Sequence, residues 1–379
     1  MSERSRSRNQ PPRSRARLRV WAVVNVAILL AFTGWVFRNA DQTQAHAASA
    51  KAASSATVPV GGASASASAS PSPKPLPTKA QILALSGTSA KYFGVTAVNV
   101  PWKPEALRAI ATNAEVSPDM VEYYVNWTQS FDASAVTDAY AEGAIPVLTW
   151  ESFAGLGGSS ARTLDQPAYA LSTVIDGRHD AYITSFAQAV KAEGLPVVIR
   201  FDHEMNGDWF PWSEGYNGNG SGQYVEAWRH VWTLFQQVGA TNVIWDWAPN
   251  ITRGASNSDL EELYPGDKYV DWLGLSAYDD YESTAKALIL PTLDKLRLFT
   301  QKPMLITETG SEPGSQKVTW TENFLSWLPA QSNVIGFIWN EITSAQGSGA
   351  NWGFDADTNT LTAFRSGIKN LTLVQVPAA

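Results

Sequence analysis

The sequence predicts a (β/α)8 barrel, preceded by an N-terminal membrane segment and a low-complexity linker. From about Tyr92 onward, short apolar runs alternate with amphipathic stretches, and eight such units fit within about 280 residues. Charged or amide side chains follow most of these runs, at the strand ends where a barrel carries its reactive groups. A doubly wound open sheet is the alternative, but no Gly-x-Gly-x-x-Gly sequence follows an early strand, which weakens its nucleotide-binding form.

Eight apolar runs rich in β-branched and aromatic residues are predicted as the strands. In chain order they are Tyr92–Val98, Met120–Val125, Ile145–Trp150, Pro196–Phe201, Asn242–Trp247, Tyr269–Ala277, Pro303–Thr307 and Val334–Trp339. Amphipathic helices are predicted between some of them, at Ala181–Glu193, Gly222–Val238, Thr284–Phe299 and Thr319–Leu328. The barrel domain as a whole is predicted to occupy residues 86–379.

The first 85 residues differ in composition from the rest of the chain. Residues 1–19 carry seven arginines against one acidic residue and are predicted as a basic cytoplasmic tail. Residues 20–38 are almost wholly apolar, and are predicted as a transmembrane signal anchor or, given the small residues around His46, as a cleaved signal peptide. The Ala/Ser/Pro-rich stretch at 39–85 is predicted as a disordered linker. We therefore expect an exported domain, either anchored at the extracellular face of the membrane or secreted.

Charge and composition exclude several classes of function. Residues 1–38 carry a net charge of +7, so the overall charge of −7 leaves −14 for the remainder. An acidic exported domain is not expected to bind nucleic acid, and the adjoining apolar segment argues against a basic nucleic-acid-binding arm. The chain has no cysteine, and its four histidines are not spaced as in His-Glu-x-x-His, so we expect no metal and no other cofactor. We expect a monomer.

The most informative stretch begins at the end of the fourth predicted strand. The apolar run there ends in charge, with Arg200, Asp202, His203 and Glu204 within five positions, followed by a glycine and three large aromatic residues. Because strand side chains alternate, Asp202 is expected to point away from the mouth if Glu204 points into it. A carboxylic acid beneath aromatic side chains is desolvated, which raises its pKa and suits it to acid catalysis on a sugar.

Glycoside cleavage requires a second carboxyl group on the other side of the sugar. Glu308 follows the seventh apolar run, and strands 4 and 7 lie nearly opposite each other in an eight-stranded barrel. Glu204 and Glu308 are therefore predicted as the catalytic pair, with Arg200 as a supporting partner of one of them or as a substrate ligand. A purely structural carboxylate paired with Arg200 is the alternative for Glu308. The two carboxyl groups lie about 5–5.5 Å apart in retaining enzymes and about 6.5–9.5 Å apart in inverting ones, a distance that sequence cannot supply.

The stretch from His203 to Phe210, which reads His-Glu-Met-Asn-Gly-Asp-Trp-Phe, resembles the acid/base signature of glycoside hydrolase family 26. That family belongs to the large barrel clan with catalytic glutamates on strands 4 and 7, and it has His before the acid where most of the clan has Asn. The resemblance covers roughly residues 90–367. It implies a retaining mechanism, with Glu204 as general acid/base and Glu308 as nucleophile.

The resemblance also implies roles for four further side chains. His203 is expected to hydrogen-bond near the sugar at the cleavage point, and Trp209 to form an aromatic wall. Tyr278, at the end of strand 6, matches a tyrosine that orients the nucleophile. Trp339, at the end of strand 8, matches a tryptophan floor under the sugar at the cleavage point.

Other residues at or near the strand ends complete the candidate site. Trp150, Glu151, Phe210 and Trp247 are predicted to bind substrate, because flat aromatic faces stack on the C–H faces of pyranose rings and the chain has sixteen tryptophans. For Glu151, contact with a distal sugar and pairing with a neighbouring side chain both remain open. Asn250 is predicted as a supporting residue.

A retaining endo-β-glycanase is the leading hypothesis, and β-1,4-mannan is the substrate that the resemblance implies first. β-1,3-1,4-Glucan and β-1,3-xylan are further substrates within the family. A transglycosylase acting on the cell's own surface polysaccharide is an alternative, because the retaining mechanism passes through a glycosyl-enzyme. A non-catalytic glycan-binding barrel is another alternative, but binding alone does not require two opposed acids.

Overall fold

The computed structural model describes residues 77–155, 165–279 and 284–376, and these residues form a closed barrel of eight parallel strands. Strands that are neighbours in the chain are neighbours in the barrel, and β8 closes the ring against β1. The prediction of a (β/α)8 barrel is therefore confirmed. The predicted basic tail, the membrane segment and the linker up to residue 76 lie outside the described residues.

The strands follow the predicted apolar runs closely. They are β1 (Tyr92–Thr96), β2 (Met120–Asn126), β3 (Ile145–Glu151), β4 (Val197–Phe201), β5 (Val243–Trp247), β6 (Trp272–Asp279), β7 (Met304–Ser311) and β8 (Val334–Asn340). Both faces of these strands are buried, because the barrel interior covers one face and the outer helices cover the other.

The helices surround the barrel. They are α1 (Lys79–Leu85), α2 (Pro104–Ala114), α3 (Ala133–Ala141), α4 (Leu171–Ile175), α5 (Asp180–Glu193), α6 (Gln223–Val238), α7 (Ala285–Leu296), α8 (Lys317–Trp327) and α9 (Thr358–Ile368). Helix α6 shows how the sequence specifies them, since it buries Tyr224, Trp228, Val231 and Phe235 at helical spacing and ends at Gly239 with a left-handed backbone.

One connection departs from the expected alternation of strands and helices. The segment 248–271, which joins β5 to β6 and is described throughout, contains no α-helix. It crosses the rim of the barrel in turns and forms a short parallel bridge between Asn250 and Ser276. This bridge brings the Asn250 backbone next to β6 at the mouth.

The pole of the barrel opposite the mouth is covered by both ends of the described chain. Helix α1, in the last part of the predicted linker, begins with a capping box between Thr78 and Gln81, so that part is helical and not extended. Lys79 Nζ binds the carbonyl oxygen of Val243 at the start of β5. At the other end of the chain, backbone hydrogen bonds join Lys91 to residues 372 and 374. No helix within 77–155, 165–279 and 284–376 is long and apolar enough to span a bilayer.

Candidate active site

The chain turns sharply as it leaves β4. Asp202 and Glu204 both have a left-handed backbone, with φ of 42° and 53°, and the Glu204 amide donates to the Ala248 carbonyl oxygen at 2.7 Å. The Asp202 carboxylate turns away from Glu204 and accepts hydrogen bonds from the backbone and side chain of Ser152, at 2.8 and 2.7 Å. This turn directs the Glu204 side chain toward the mouth and the Asp202 carboxyl group to Ser152, so the two point apart as expected. The cause is the left-handed backbone and not strand alternation, which places residues two positions apart on the same face.

Glu204 lies in a buried, partly polar environment. Trp209 donates its indole N–H to Glu204 Oε2 at 2.7 Å, and the side chains of Ser276 and Asn250 also donate to the carboxylate. Burial, and then the negative charge of Glu308, raise the pKa of Glu204 above its ordinary value, and the hydrogen bonds only partly oppose this. Glu204 is therefore suited to hold a proton.

Within the described part of the chain, Glu308, unlike Glu204, is hydrogen-bonded to a cation. Arg200 Nη1 donates to Glu308 Oε1 at 2.5 Å, and the Tyr278 hydroxyl donates to Oε2 at 2.9 Å. Asn340, at the end of β8, donates to the oxygen of Tyr278 at 3.0 Å and fixes its orientation. One oxygen of Glu308 thus accepts a charge-assisted hydrogen bond from a guanidinium and the other accepts from a phenol, so the carboxyl group is held in a fixed orientation. Glu308 is therefore suited to act as a nucleophile.

His203 lies between the two glutamates and the aromatic loop. Its Nε2 is 3.8 Å from Glu308 Oε1, and its ring is 4.5 Å from that of Phe210 and 5.7 Å from that of Trp212. Burial, together with the nearby charge of Arg200, lowers the pKa of His203 well below its ordinary value. His203 is therefore a neutral imidazole that can hydrogen-bond to a sugar without adding charge.

Three tryptophans that were predicted to contact substrate do not reach the mouth. Trp150, Trp247 and Trp339 are each 0% exposed and pack between the barrel and its outer layer. Trp150 stacks on Phe186 of α5 at 4.5 Å, and Trp339 lies 5.3 Å from Phe364 of α9. The predictions for these three residues were wrong.

The physical reason is the alternation of side chains along each strand. The neighbouring positions Glu151, Asp246 and Asn340 face the interior or the mouth, so Trp150, Trp247 and Trp339 must face the helices. Trp245, two residues before Trp247, shares its outward face and packs against the helix α6.

The remaining predicted residues lie at the mouth end of the barrel. Trp209 and Phe210 are 7% and 6% exposed and belong to the loop that follows Glu204. Asn250 is held by Asn206, which accepts from its amide and donates to its carbonyl oxygen, at 2.8 and 2.9 Å. Glu151 is buried at the end of β3, where burial and then the charge of Asp202 raise its pKa well above the ordinary value.

Several residues of this site were not predicted from sequence. Glu122 of β2 lies below Arg200 in the barrel interior, and Tyr124, two positions later, places its ring 6.0 Å from that of His203. Trp352, after β8, places its ring 4.7 Å from that of Tyr278. Glu122 interrupts an otherwise apolar run, and a lone carboxyl group in a buried strand is the signal that could have identified it.

The described residues offer no metal site at this mouth or elsewhere. Within 77–155, 165–279 and 284–376, no group of three or more His, Asp or Glu side chains could hold a metal ion.

Two solved β-mannanases superpose on this chain. A β-mannanase of glycoside hydrolase family 26 from Bacteroides ovatus superposes with a TM-score of 0.60 at 20% identity, over 78% of this chain and 92% of that one. A modular endo-β-1,4-mannanase from Cellulomonas fimi gives a TM-score of 0.61 at 20% identity, over 78% and 74% of the two chains. At this level of identity, the two structures support the barrel fold.

Curated relatives share more of the sequence over shorter lengths. Endoglucanase H of Acetivibrio thermocellus is 30% identical over 263 residues, which is 66% of this chain and 27% of that protein. A mannan endo-1,4-β-mannosidase of Bacillus subtilis is 31% identical over 179 residues, 41% of this chain and 46% of that protein. The chain thus spans between a quarter and a half of the length of these relatives.

The family profile gives the decisive match. The profile described as glycosyl hydrolase family 26 matches residues 110–314, which is more than half of the chain. The matched region contains β2 through β7 and both glutamates of the site. The chain therefore belongs to glycosyl hydrolase family 26.

Proposed function

We propose that the protein is a retaining endo-β-glycanase in which Glu204 is the general acid/base and Glu308 the nucleophile. The contrast between the two carboxyl groups supports this proposal most strongly. Glu204 is buried, has a raised pKa and accepts from no cation among the described residues, whereas Glu308 is paired with Arg200 and Tyr278. A carboxyl group whose raised pKa lets it hold a proton, beside a second one bound to a guanidinium, provides an acid and a nucleophile in one site.

The first step of the proposed reaction forms a glycosyl-enzyme. A carboxylate oxygen of Glu308 attacks the anomeric carbon as the glycosidic bond breaks, and Glu204 gives its proton to the departing oxygen. In the second step Glu204, now ionised, takes a proton from water. The resulting hydroxide equivalent attacks the same carbon, and the bond to Glu308 breaks. Each step inverts the anomeric carbon once, so the product keeps the β configuration.

β-1,4-Mannan is the proposed substrate. The relative from Bacillus subtilis is a mannan endo-1,4-β-mannosidase, and both of the superposed structures are mannanases. Two buried aromatic residues at the mouth, Trp209 and Phe210, together with Tyr124, provide apolar surface next to the glutamates. Such surface suits the C–H face of a pyranose ring.

A β-glucan is the second candidate substrate. Endoglucanase H matches 66% of this chain, whereas the mannan endo-1,4-β-mannosidase of Bacillus subtilis matches 41% of it. Mannose and glucose differ only in the orientation of the hydroxyl group at C2. A comparison of mannan with mixed-linkage β-1,3-1,4-glucan therefore separates the two candidates directly.

We also propose that the enzyme acts outside the cell, attached to the membrane or released from it, as a monomer. The arginine-rich residues 1–19 and the apolar residues 20–38 support export. Alkaline phosphatase fused after residue 76 tests this, because it is active only on the outer side of the cytoplasmic membrane. An inactive fusion that is nevertheless expressed would contradict export.

Reducing-sugar release by the full-length chain tests the enzymatic proposal. The substrates are mannan, glucomannan, mixed-linkage glucan and xylan, and the variants are Glu204→Ala and Glu308→Ala. We expect cleavage of one polymer by wild type and a loss of about 10³-fold or more in each variant. Glu226→Ala is the control, because Glu226 is exposed on the surface of α6. Cleavage that survives both site substitutions would contradict the assignment.

Azide rescue distinguishes the two roles. In Glu308→Ala the azide ion replaces the missing nucleophile and yields the α-glycosyl azide from an activated aryl glycoside. In Glu204→Ala it attacks the glycosyl-enzyme and yields the β-glycosyl azide. The opposite pairing of variant and anomer would exchange the two roles.

A further inference from the structure

The interior of the barrel holds a layer of charged side chains directly below the mouth. Arg200 lies there with three carboxyl groups around it, those of Glu122, Asp246 and Glu308. Arg200, Glu122 and Asp246 are fully buried, and only Glu308 reaches the mouth. Nη1 of Arg200 faces two of these carboxyl groups at once, at 2.5 Å from Glu308 Oε1 and 3.3 Å from Glu122 Oε1. One guanidinium nitrogen is therefore shared between the nucleophile and a residue that no substrate can touch.

We propose that Glu122 is a positioning residue that competes with Glu308 for Arg200, and thereby controls how strongly the guanidinium holds the nucleophile. This inference rests on the proposed role of Glu308 and deepens it. Glu122 acts through Arg200 and makes no contact with the sugar. Ionised Glu122 draws the guanidinium downward and repels the charge on Glu308, which makes Glu308 a stronger nucleophile. Protonated Glu122 leaves Arg200 to Glu308 alone.

The hydrogen bonds of Glu122 allow it to exist in both states. The hydroxyl groups of Thr96 and Thr149 each donate to a different oxygen of Glu122, both at 2.6 Å. These donors and the positive charge of Arg200 favour the carboxylate. Burial, which is the largest effect, and the negative charge of Glu308 oppose it. Together these effects raise the pKa of Glu122 to about 7. Both states are therefore populated near neutral pH.

Asp246 provides an internal comparison within the same layer. It is the β5 partner of Arg200 in the strand register, yet neither of its carboxyl oxygens has a hydrogen-bond partner among the described residues. Burial raises the pKa of Asp246 well above its ordinary value and favours the protonated form. Asp246 therefore serves as a carboxyl group of the same layer that makes no hydrogen bond to Arg200.

Titratable or charged groups from six strands surround Glu122, and together they determine its protonation. The titratable or charged groups that face it are Tyr124 from β2, Glu151 from β3, Arg200 from β4, Asp246 from β5, Tyr278 from β6 and Glu308 from β7. The two tyrosines have raised pKa values and remain neutral, and burial likewise raises the pKa of Glu151. Glu122, with a pKa of about 7, changes its charge in this pH range.

The pH dependence of kcat/KM tests the proposal, because kcat/KM reports the step in which Glu308 attacks the sugar. The variants are Glu122→Gln and, as a matched control, Asp246→Asn. The ratio of wild type to Glu122→Gln should be near one below about pH 5 and rise to about 10-fold above about pH 8. The ratio for Asp246→Asn should not change with pH. A Glu122→Gln ratio that is constant across this range would show a structural role and overturn the proposal.

A second measurement does not depend on activity. In protein labelled with carbon-13 at the glutamate carboxyl, Glu122 should give a resonance that titrates near pH 7 and is absent in Glu122→Gln. Glu308→Gln should lower that midpoint by about one pH unit or more, because Arg200 then has one carboxylate to hold. Thr149→Val should raise it, because it removes a donor to the carboxylate, and this variant is informative even if Glu122→Gln does not fold.

These outcomes separate the two proposals. If wild type cleaves no polymer, the enzymatic proposal fails, and the midpoint in Glu308→Gln still decides whether Glu122 and Glu308 share Arg200. If wild type is active and the midpoint of Glu122 does not move in Glu308→Gln, the coupling is absent and the inference is wrong.

Discussion

Trp209 donates its indole N–H to Glu204 at 2.7 Å, so the aromatic wall and the proposed acid are one hydrogen-bonded unit. The two residues are five positions apart, and Gly207 lies between them. A Cβ atom at Gly207 would lie 2.4 Å from two carbons of the indole ring. The missing side chain at position 207 is therefore what allows the indole to fold back onto Glu204.

Removal of the indole donor should change the pH profile and not only the rate. The Trp209 N–H favours ionised Glu204, so Trp209→Phe should raise the pKa of Glu204 further. We expect the basic limb of the kcat/KM profile to move up by as much as about one pH unit, with a loss of about 10-fold at the optimum. A lower kcat/KM with an unmoved basic limb would mean that Trp209 serves only as a surface for the sugar.

Gly207→Ala should disturb the same unit from the backbone side. The new methyl group displaces the indole, and we expect kcat/KM to fall by about 10-fold or more, because small displacements of catalytic groups are costly. Gly220→Ala in the same loop is the control, since its Cβ would lie 3.8 Å from the nearest atoms, those of Gln223. Equal activity of the two alanine variants would contradict this account.

Tyr278→Phe removes the hydroxyl that donates to Glu308 and accepts from Asn340. A hydrogen bond to a charged group contributes about 1.5–3 kcal/mol, so we expect kcat to fall by about 10- to 100-fold with little change in KM. The control is Tyr264→Phe, whose hydroxyl binds Asp267 and Thr300 away from the mouth. A change confined to KM would instead assign Tyr278 to substrate binding.

Trp339→Ala should act on stability. Trp339 is fully buried between β8 and the helices, and its N–H donates to the Trp352 carbonyl oxygen at 3.0 Å. We expect the free energy of unfolding in urea to fall by about 3–5 kcal/mol, with an unchanged KM in the fraction that remains folded. A raised KM without a loss of stability would return Trp339 to the substrate-binding surface.

The stability of the domain should depend on pH through Asp202. Burial raises the pKa of Asp202 to about 8, against hydrogen bonds from Ser152 that favour the ionised form. The folded state therefore retains a proton that the unfolded state has lost, so this group lowers stability as pH rises from its unfolded pKa near 4 toward 8.

Asp202→Asn removes this dependence and keeps the shape of the side chain, and asparagine tolerates the left-handed backbone at this position. We expect the variant to gain stability relative to wild type between about pH 5 and about pH 9, measured by urea unfolding at each pH. A difference that does not vary with pH would mean that Asp202 is ionised throughout.

Much of this architecture could be predicted from the sequence, because the strands are continuous apolar runs that end in polar residues. The run at Met120–Val125 became β2 with one added residue, and Glu204 and Glu308 both follow such runs. Helix α1, at the end of the predicted linker, was not predicted, because its capping box lies within a sequence that is otherwise typical of a linker.

The direction of each side chain could not be predicted in the same way. A strand that is buried on both faces has no polar and apolar alternation to show which face is inside. In β8 the family resemblance assigns Trp339 to the mouth, but Asn340 occupies it and contacts Tyr278. The partner of Glu122 could not be predicted because it is distant in the chain. Arg200 is 78 residues away, and only the closure of the barrel brings the two together.

The pole of the barrel opposite the mouth determines how this domain can be attached to other structures. There Lys79 binds the start of β5, and Lys91 pairs with residues 372 and 374. Both ends of the described chain leave from the side opposite the catalytic mouth. A tag, a partner domain or a solid support joined at either end therefore leaves the opening unobstructed, and a long polymer can lie across it without meeting the attachment.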